Sequence, residues 1–160
     1  MDYREGQEYR EAVWFGFDKA WAKARRSRLI SRMRRQSDDL LTIDQLRACV
    51  KVEGGSYAGC KTIPIDRIIG SEDRSEDFNR NFMPRKNFMR VRWCSIAAAY
   101  SQGKALPPIK VLELGGVYFI RDGNHRVSVA RTQKAAYIDA EIIRIDSEAG
   151  LDSTKRLAIA

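Results

Sequence analysis

The stretch from Pro107 to Ala130 constrains this chain more than any other. Pro107-Pro108 stops what precedes it and starts a strand over Ile109–Leu114. Gly115-Gly116 is a hairpin turn and Val117–Arg121 the return strand. Asp122-Gly123-Asn124 makes a tight turn, and a helix runs from about His125 to about Gln133. A hairpin that feeds straight into a helix fits a small mixed unit and not a helical bundle or an all-β barrel.

The flanking segments extend that unit. Lys61–Ile65 is a short strand candidate, leading into Asp66-Arg67-Ile68-Ile69-Gly70. Ser71–Asn81 is dense in charge and turn residues and reads as loop or a short helix. Arg85–Gln102 reads as a helix stopped by Gly103, and Tyr137–Ile145 alternates as a final strand. The order of strand, helix, hairpin, glycine turn, helix and strand gives an α+β class over roughly 90 residues.

Before it comes a helical part. Gln7 to about Arg35 carries Val13, Trp14, Phe17, Ala20, Trp21 and Ala24 on one stripe at helical spacing. The stripe continues as Arg25, Arg28, Arg32 and Arg35, so the first half is built to pack and the second to stay wet or meet anions. Ser37-Asp38-Asp39, or Asp44, caps a short helix over Thr42–Cys49. Gly54–Gly59 reads as a flexible loop and the domain boundary. The division is then 1–59, a basic helical segment; 60–146, the α+β domain; and 147–160, a tail.

Charge narrows the partners. The net charge is +8, and Lys19–Arg35 alone holds eight basic residues and no acidic one. A localised anionic partner is implied, with nucleic acid first. The apolar runs are short, as at Ile96–Tyr100, so no membrane span is expected. The charges at Asp2, Arg4, Glu5, Glu8, Arg10 and Glu11 argue against a secretory leader. Three cysteines without a C-x-x-C pair, beside a single histidine, argue against a disulfide scaffold or a zinc site; the chain reads as cytoplasmic.

The turn Asp122–Arg126 carries the chemistry. The first N–H groups of a helix lack internal partners and sit at the positive end of its dipole, an anion site before any side chain is counted. Gly123 permits close backbone approach or a positive φ, and Asn124 is the N-cap candidate. His125 and Arg126 are cations set against the dipole of their own helix. That placement makes sense if they face a phosphate, which Arg126 can hold bidentately. A second basic cluster, Arg85, Lys86, Arg90 and Arg92 with Phe88 and Trp93, could form a base-stacking or phosphate groove, but at helical spacing reads first as aromatic core and a solvated basic face.

From Lys61 to Ile145 the chain resembles the N-terminal domain of the ParB/sulfiredoxin superfamily. IPIDRII is similar to that family's first strand, LPPIKVLELGGVYFIRDGNHRVSVA to its hairpin, phosphate-binding turn and helix, and YIDAEII to its closing strand. The turn resembles the Asp-Gly-x-His-Arg variant of stand-alone members, which include free-serine kinases and ParB-like nucleases. The resemblance implies a small mixed sheet packed with helices. It also implies a nucleoside triphosphate, ATP or CTP, held with Mg²⁺ by Gly123, Asn124, His125 and Arg126. It further implies Glu72 as general base, Asp122 as a catalytic and Mg²⁺-holding carboxylate, and Arg74 as a phosphate ligand.

Two departures limit what carries over. Sulfiredoxins place a nucleophilic cysteine before the His-Arg pair, where this chain has Asn124. Chromosome-partitioning ParB proteins continue into a helix-turn-helix domain, and the residues after Ile145 are too few for one. The expectation is a nucleotide-binding ParB-like protein, with phosphohydrolase or phosphotransferase activity left open. DNA association would run through Arg25, Arg28, Arg32 and Arg35, and homo-oligomers stay open. The alternative is a non-catalytic or nuclease-like DNA-binding accessory domain whose turn holds a backbone phosphate.

Overall fold

The computed structural model describes residues 3–47, 52–73 and 76–147. It is a mixed α+β fold. Helices α1 (Tyr3–Arg34), α2 (Ile43–Arg47), α3 (Arg90–Ser101) and α4 (Asn124–Thr132) pack with one sheet. Its strands are β1 (Leu41–Thr42), β2 (Val52–Pro64), β3 (Ile68–Ser71), β4 (Ile109–Leu114), β5 (Val117–Asp122) and β6 (Tyr137–Ser147). The six strands lie in the order β1-β3-β5-β4-β6-β2. The β1–β3, β3–β5 and β4–β6 pairs are parallel; β4–β5 and β2–β6 are antiparallel. No helix among the described residues is long and apolar enough to cross a membrane.

Each face of the sheet carries its own core. One is the larger: Ile63, Ile68, Ile109, Val111, Ile120, Ala140 and Ile142 meet Phe17, Ala20 and Ala24 of α1, Trp93 of α3 and Val127 of α4. On the other, Leu112, Leu114, Phe119 and Ile145 meet Ile43 of α2. β5 supplies Tyr118 and Ile120 to the first cluster and Phe119 to the second, as strand alternation requires. The first half of α1 therefore shares the core of the sheet instead of standing apart from it. Its stripe is only partly sunk: Trp14 is 50% exposed. The helix ends without glycine, on Arg35 at φ 55°, where the Gln36 N–H reaches back to the Ser31 carbonyl at 2.9 Å.

Four local expectations are corrected. The Gly54–Gly59 segment is strand, so position 59/60 falls inside β2. Eleven residue pairs with β6 outweigh the glycines. The glycines are absorbed at two register shifts, one of them at Gly59 with φ 86°. The short helix starts from Thr42, neither at Ser37-Asp38-Asp39 nor at Asp44. Thr42 Oγ1 accepts from the Gln45 N–H and Gln45 Oε1 from the Thr42 N–H, a reciprocal capping box. Asp38 is instead buried, held by Ser27 Oγ at 2.5 Å and by Arg85 at 3.3 Å. Ile68–Ser71 is a central strand that carries no strong local signal. A side chain at Gly70 would stand 2.5 Å from the Leu41 carbonyl oxygen and 2.6 Å from the Phe119 ring. The helix expected from Arg85 begins at Arg90, after a 3-10 turn at Asn87–Met89. The end of the short helix at Cys49 and the tail from 148 onward lie outside the described residues.

Candidate functional site

β5 delivers the chain to the centre of the sheet, and Gly123 turns it into α4. Gly123 has φ 112° and ψ 18°. A Cβ there would stand 2.5 Å from Ile109 Cγ2, so its glycine is demanded by packing as well as by backbone conformation. The first intrahelical bond runs from the Val127 N–H to the Gly123 carbonyl, at 3.0 Å. Gly123, not Asn124, is thus the N-cap position, and it supplies no side-chain cap. The helix starts one residue early because the left-handed residue belongs to glycine. Asn124 enters the first turn, 8% exposed, with its Oδ1 buried and without a hydrogen-bond partner among the described residues.

A cavity of about 140 Å³ opens over this helix start. Asp122, Gly123, Asn124, His125 and Arg126 line it, joined by Asp73, Phe78, Arg92, Ile96 and Arg121. The expected turn is therefore brought together as one wall. The His125 ring stands edge-on to Phe78, with centroids 5.3 Å apart. Arg126 behaves differently from expectation. Its Nη1 donates to the Pro107 carbonyl and, at 2.7 Å, to that of Pro108, while Nη2 bonds Asp122 Oδ2 at 2.7 Å. Its side chain is 12% exposed, so it pins the segment before β4 to the turn. Asp122 is 58% exposed and spends one oxygen on this clamp.

Glu72 does not line the cavity. Its carboxylate is bound by Arg121 through Nε at 2.9 Å and Nη2 at 3.3 Å. The Arg121 guanidinium holds the Glu72 carboxyl below its usual range against a smaller opposing effect of burial, and Glu72 in turn raises the pKa of Arg121. A carboxylate held ionised in this way is a weakened proton acceptor. Arg74 lies outside the described residues.

The arginines of α1 are not part of this wall. Arg25 stacks over Trp21, 5.2 Å from the ring centroid. Arg28 and Arg32 border a separate groove with Asp38, Asp39, Glu76, Arg85 and Lys86. That groove is mixed in sign. Arg35 sits at the left-handed end of the helix.

Sequence reasoning placed neither Arg92 nor Arg121 beside the turn. Arg92 belongs to the cluster read as a solvated face, but Ile96, four residues on, also faces the turn. The spacing held that signal; only the docking of α3 against α4 shows which way it points. Arg92 is exposed and makes no ion pair among the described residues. A larger groove, about 640 Å³, lies at the far end of α4 beside Arg131 and Lys134. It is a weaker candidate for an anion, because a helix C-terminus presents carbonyls. Arg131 there is committed to the carbonyls of Ile65 at 3.1 Å and Ile68 at 2.7 Å. Among the described residues no three His, Cys, Asp or Glu side chains converge as a metal site.

No protein-family model matches the chain, and no curated protein matches it. Among solved structures, the sulfiredoxin of Arabidopsis thaliana is similar to it at 19% identity and a TM-score of 0.36, covering 63% of this chain and 97% of that one.

Proposed function

We propose that the cavity at the start of α4 binds the phosphate groups of a nucleotide, ATP or CTP, together with Mg²⁺. The observation that carries this reading is Arg92. It is a guanidinium without an ion partner among the described residues, on the wall of a small cavity floored by a helix N-terminus. The volume suits phosphoryl groups and not a whole nucleotide, so sugar and base would lie outside it. The residues present fit Mg²⁺ in the way that ion is usually held, by one or two carboxylates plus substrate phosphates: Asp73 and Asp122 stand on the wall. The orphaned Asn124 Oδ1 needs a donor, which a metal-bound water or a ligand hydroxyl supplies. Mg²⁺ would neutralise phosphate charge there. Arg126 positions the turn, and Glu72 positions Arg121.

Arg92→Ala is expected to lower nucleotide affinity by about tenfold or more with the fold intact. One charge-assisted contact is worth about 1.5–3 kcal/mol, and the side chain is exposed. Titration calorimetry with ATP and CTP, with and without Mg²⁺, reads it. Unchanged curves for both nucleotides would remove the phosphate role. Glu72→Gln separates binding from catalysis. As a positioning residue it should change affinity, because Arg121 loses its anchor. A fall in turnover of about 10²–10⁴ at constant affinity is the signature of a general base instead.

A second reading rests on the tract of eight cations between Lys19 and Arg35. It is the accessory-domain reading, in which duplex DNA is the ligand and the turn holds a backbone phosphate. Binding should then weaken with salt at a log–log slope of about −3 to −5. Replacing Arg25, Arg28, Arg32 and Arg35 by Gln should flatten it. Nucleotide-induced thermal shifts, set against shifts with DNA, discriminate the two readings.

A further inference from the structure

The outward side of α1 is neither bare nor uniformly basic. Its buried side is Phe17, Ala20 and Ala24. Opposite them, at spacings of i, i+7, i+14 and i+18, run Phe15, Ala22, Leu29 and Met33. Phe15 is 60%, Leu29 62% and Met33 80% exposed, and Ala22 is exposed as well. Large apolar groups aligned on a wet ridge imply a cover. Charge along the same ridge is polarised: Glu8, Glu11 and Asp18 outnumber Lys19, which lies 4.5 Å over the Phe15 ring, in its first half, and Arg25 and Arg26 occupy its second.

We propose that α1 is the seam of a homodimer, in which two copies of the chain pack their α1 helices antiparallel about a two-fold axis at Ala22. The occupant follows from self-complementarity. With Ala22 opposite Ala22, Phe15 of one copy lies opposite Leu29 of the other and Asp18 opposite Arg26, while Lys19 and Arg25, like in charge, meet at the flank. Glu11 meets the turn carrying Arg32, Met33 and Arg34. Each contact occurs twice, as an isologous interface requires. The small side chain at the axis lets the helices approach closely, and the flanking apolar groups leave water on both sides of it. A parallel pair would set two cationic halves side by side and is excluded by repulsion. Duplex DNA would satisfy the cations but leave Phe15, Leu29 and Met33 exposed.

Sedimentation equilibrium of the full chain tests this, since a dimer is read against protomer concentration. Wild type is expected to dimerise below ~100 µM and to dissociate more readily in high salt. Ala22→Glu, at an exposed position, should weaken self-association by at least about tenfold, with an unchanged circular dichroism spectrum and, at concentrations where both proteins are monomeric, an unchanged melting temperature. Asp18 also accepts a hydrogen bond from Arg90, so Asp18→Arg alone is ambiguous. Charge exchange removes the ambiguity. Asp18→Arg and Arg26→Asp should each give monomer, and the double variant should restore the dimer. A wild type that is monomeric at ~100 µM overturns the proposal, whether or not it then binds duplex DNA. So does a dimer that survives Ala22→Glu, or one that the double exchange fails to restore.

Discussion

Trp93→Ala is expected to remove about 3–5 kcal/mol of stability, the range for truncating a large buried aromatic. Trp93 is 1% exposed and joins three helices. From α3 its ring meets Phe17 of α1 edge-on, with centroids 5.7 Å apart, and lies 3.7 Å from where a Cβ on Gly16 would stand. Its indole N–H donates to Ser128 Oγ of α4 at 2.9 Å, and Ser128 is fully buried. Alanine thus leaves a void and strips a buried hydroxyl of its donor. Domains of this size hold only about 5–15 kcal/mol, so the variant should unfold at a much lower urea concentration. Trp93→Phe, which keeps most of the ring contact and loses the hydrogen bond, should fall between. A loss below about 1 kcal/mol for alanine would show that α1 does not depend on this contact.

Gly123→Ala is expected to cost about 2–4 kcal/mol, from a left-handed backbone and a forced contact together. The added methyl would stand 2.5 Å from Ile109 Cγ2 and 2.9 Å from Ile109 Cβ, and Ile109 is fully buried in β4. Either β4 moves or the start of α4 tilts. Both displace the wall formed by Asn124, His125 and Arg126, so nucleotide affinity should fall with stability. A double-mutant cycle with Ile109→Ala separates the two contributions. The steric part should be relieved in the double variant, while the cost of the positive φ persists. A change below about 0.5 kcal/mol in Gly123→Ala would contradict the turn geometry.

How far the sequence could be read depended on the range of the forces involved. The hairpin at Gly115-Gly116, the strand-to-helix turn at Gly123 and the stop at Gly103 were legible, because each is a backbone requirement that glycine or proline meets locally. The buried positions Phe17, Ala20 and Ala24 were legible through helical spacing. Gly54–Gly59 misled for the same reason: glycines signal a loop locally, while β6 makes them strand by long-range pairing. Ile68–Ser71 was silent because it is too short for a period to register, and only neighbours on both sides make it a strand.

The site divides along the same line. By itself the sequence determined that a helix start with orphan N–H groups would follow β5, since those groups and a left-handed glycine are properties of the chain there. Only the tertiary structure decided which cations face it. Arg126, adjacent in sequence, is drawn into the Pro107 and Pro108 carbonyls and Asp122, because a guanidinium that is nearly buried must satisfy its donors. Arg92, remote in sequence, lines the cavity without an ion pair among the described residues, because the packing of α3 on α4 through Trp93 and Ser128 sets it there.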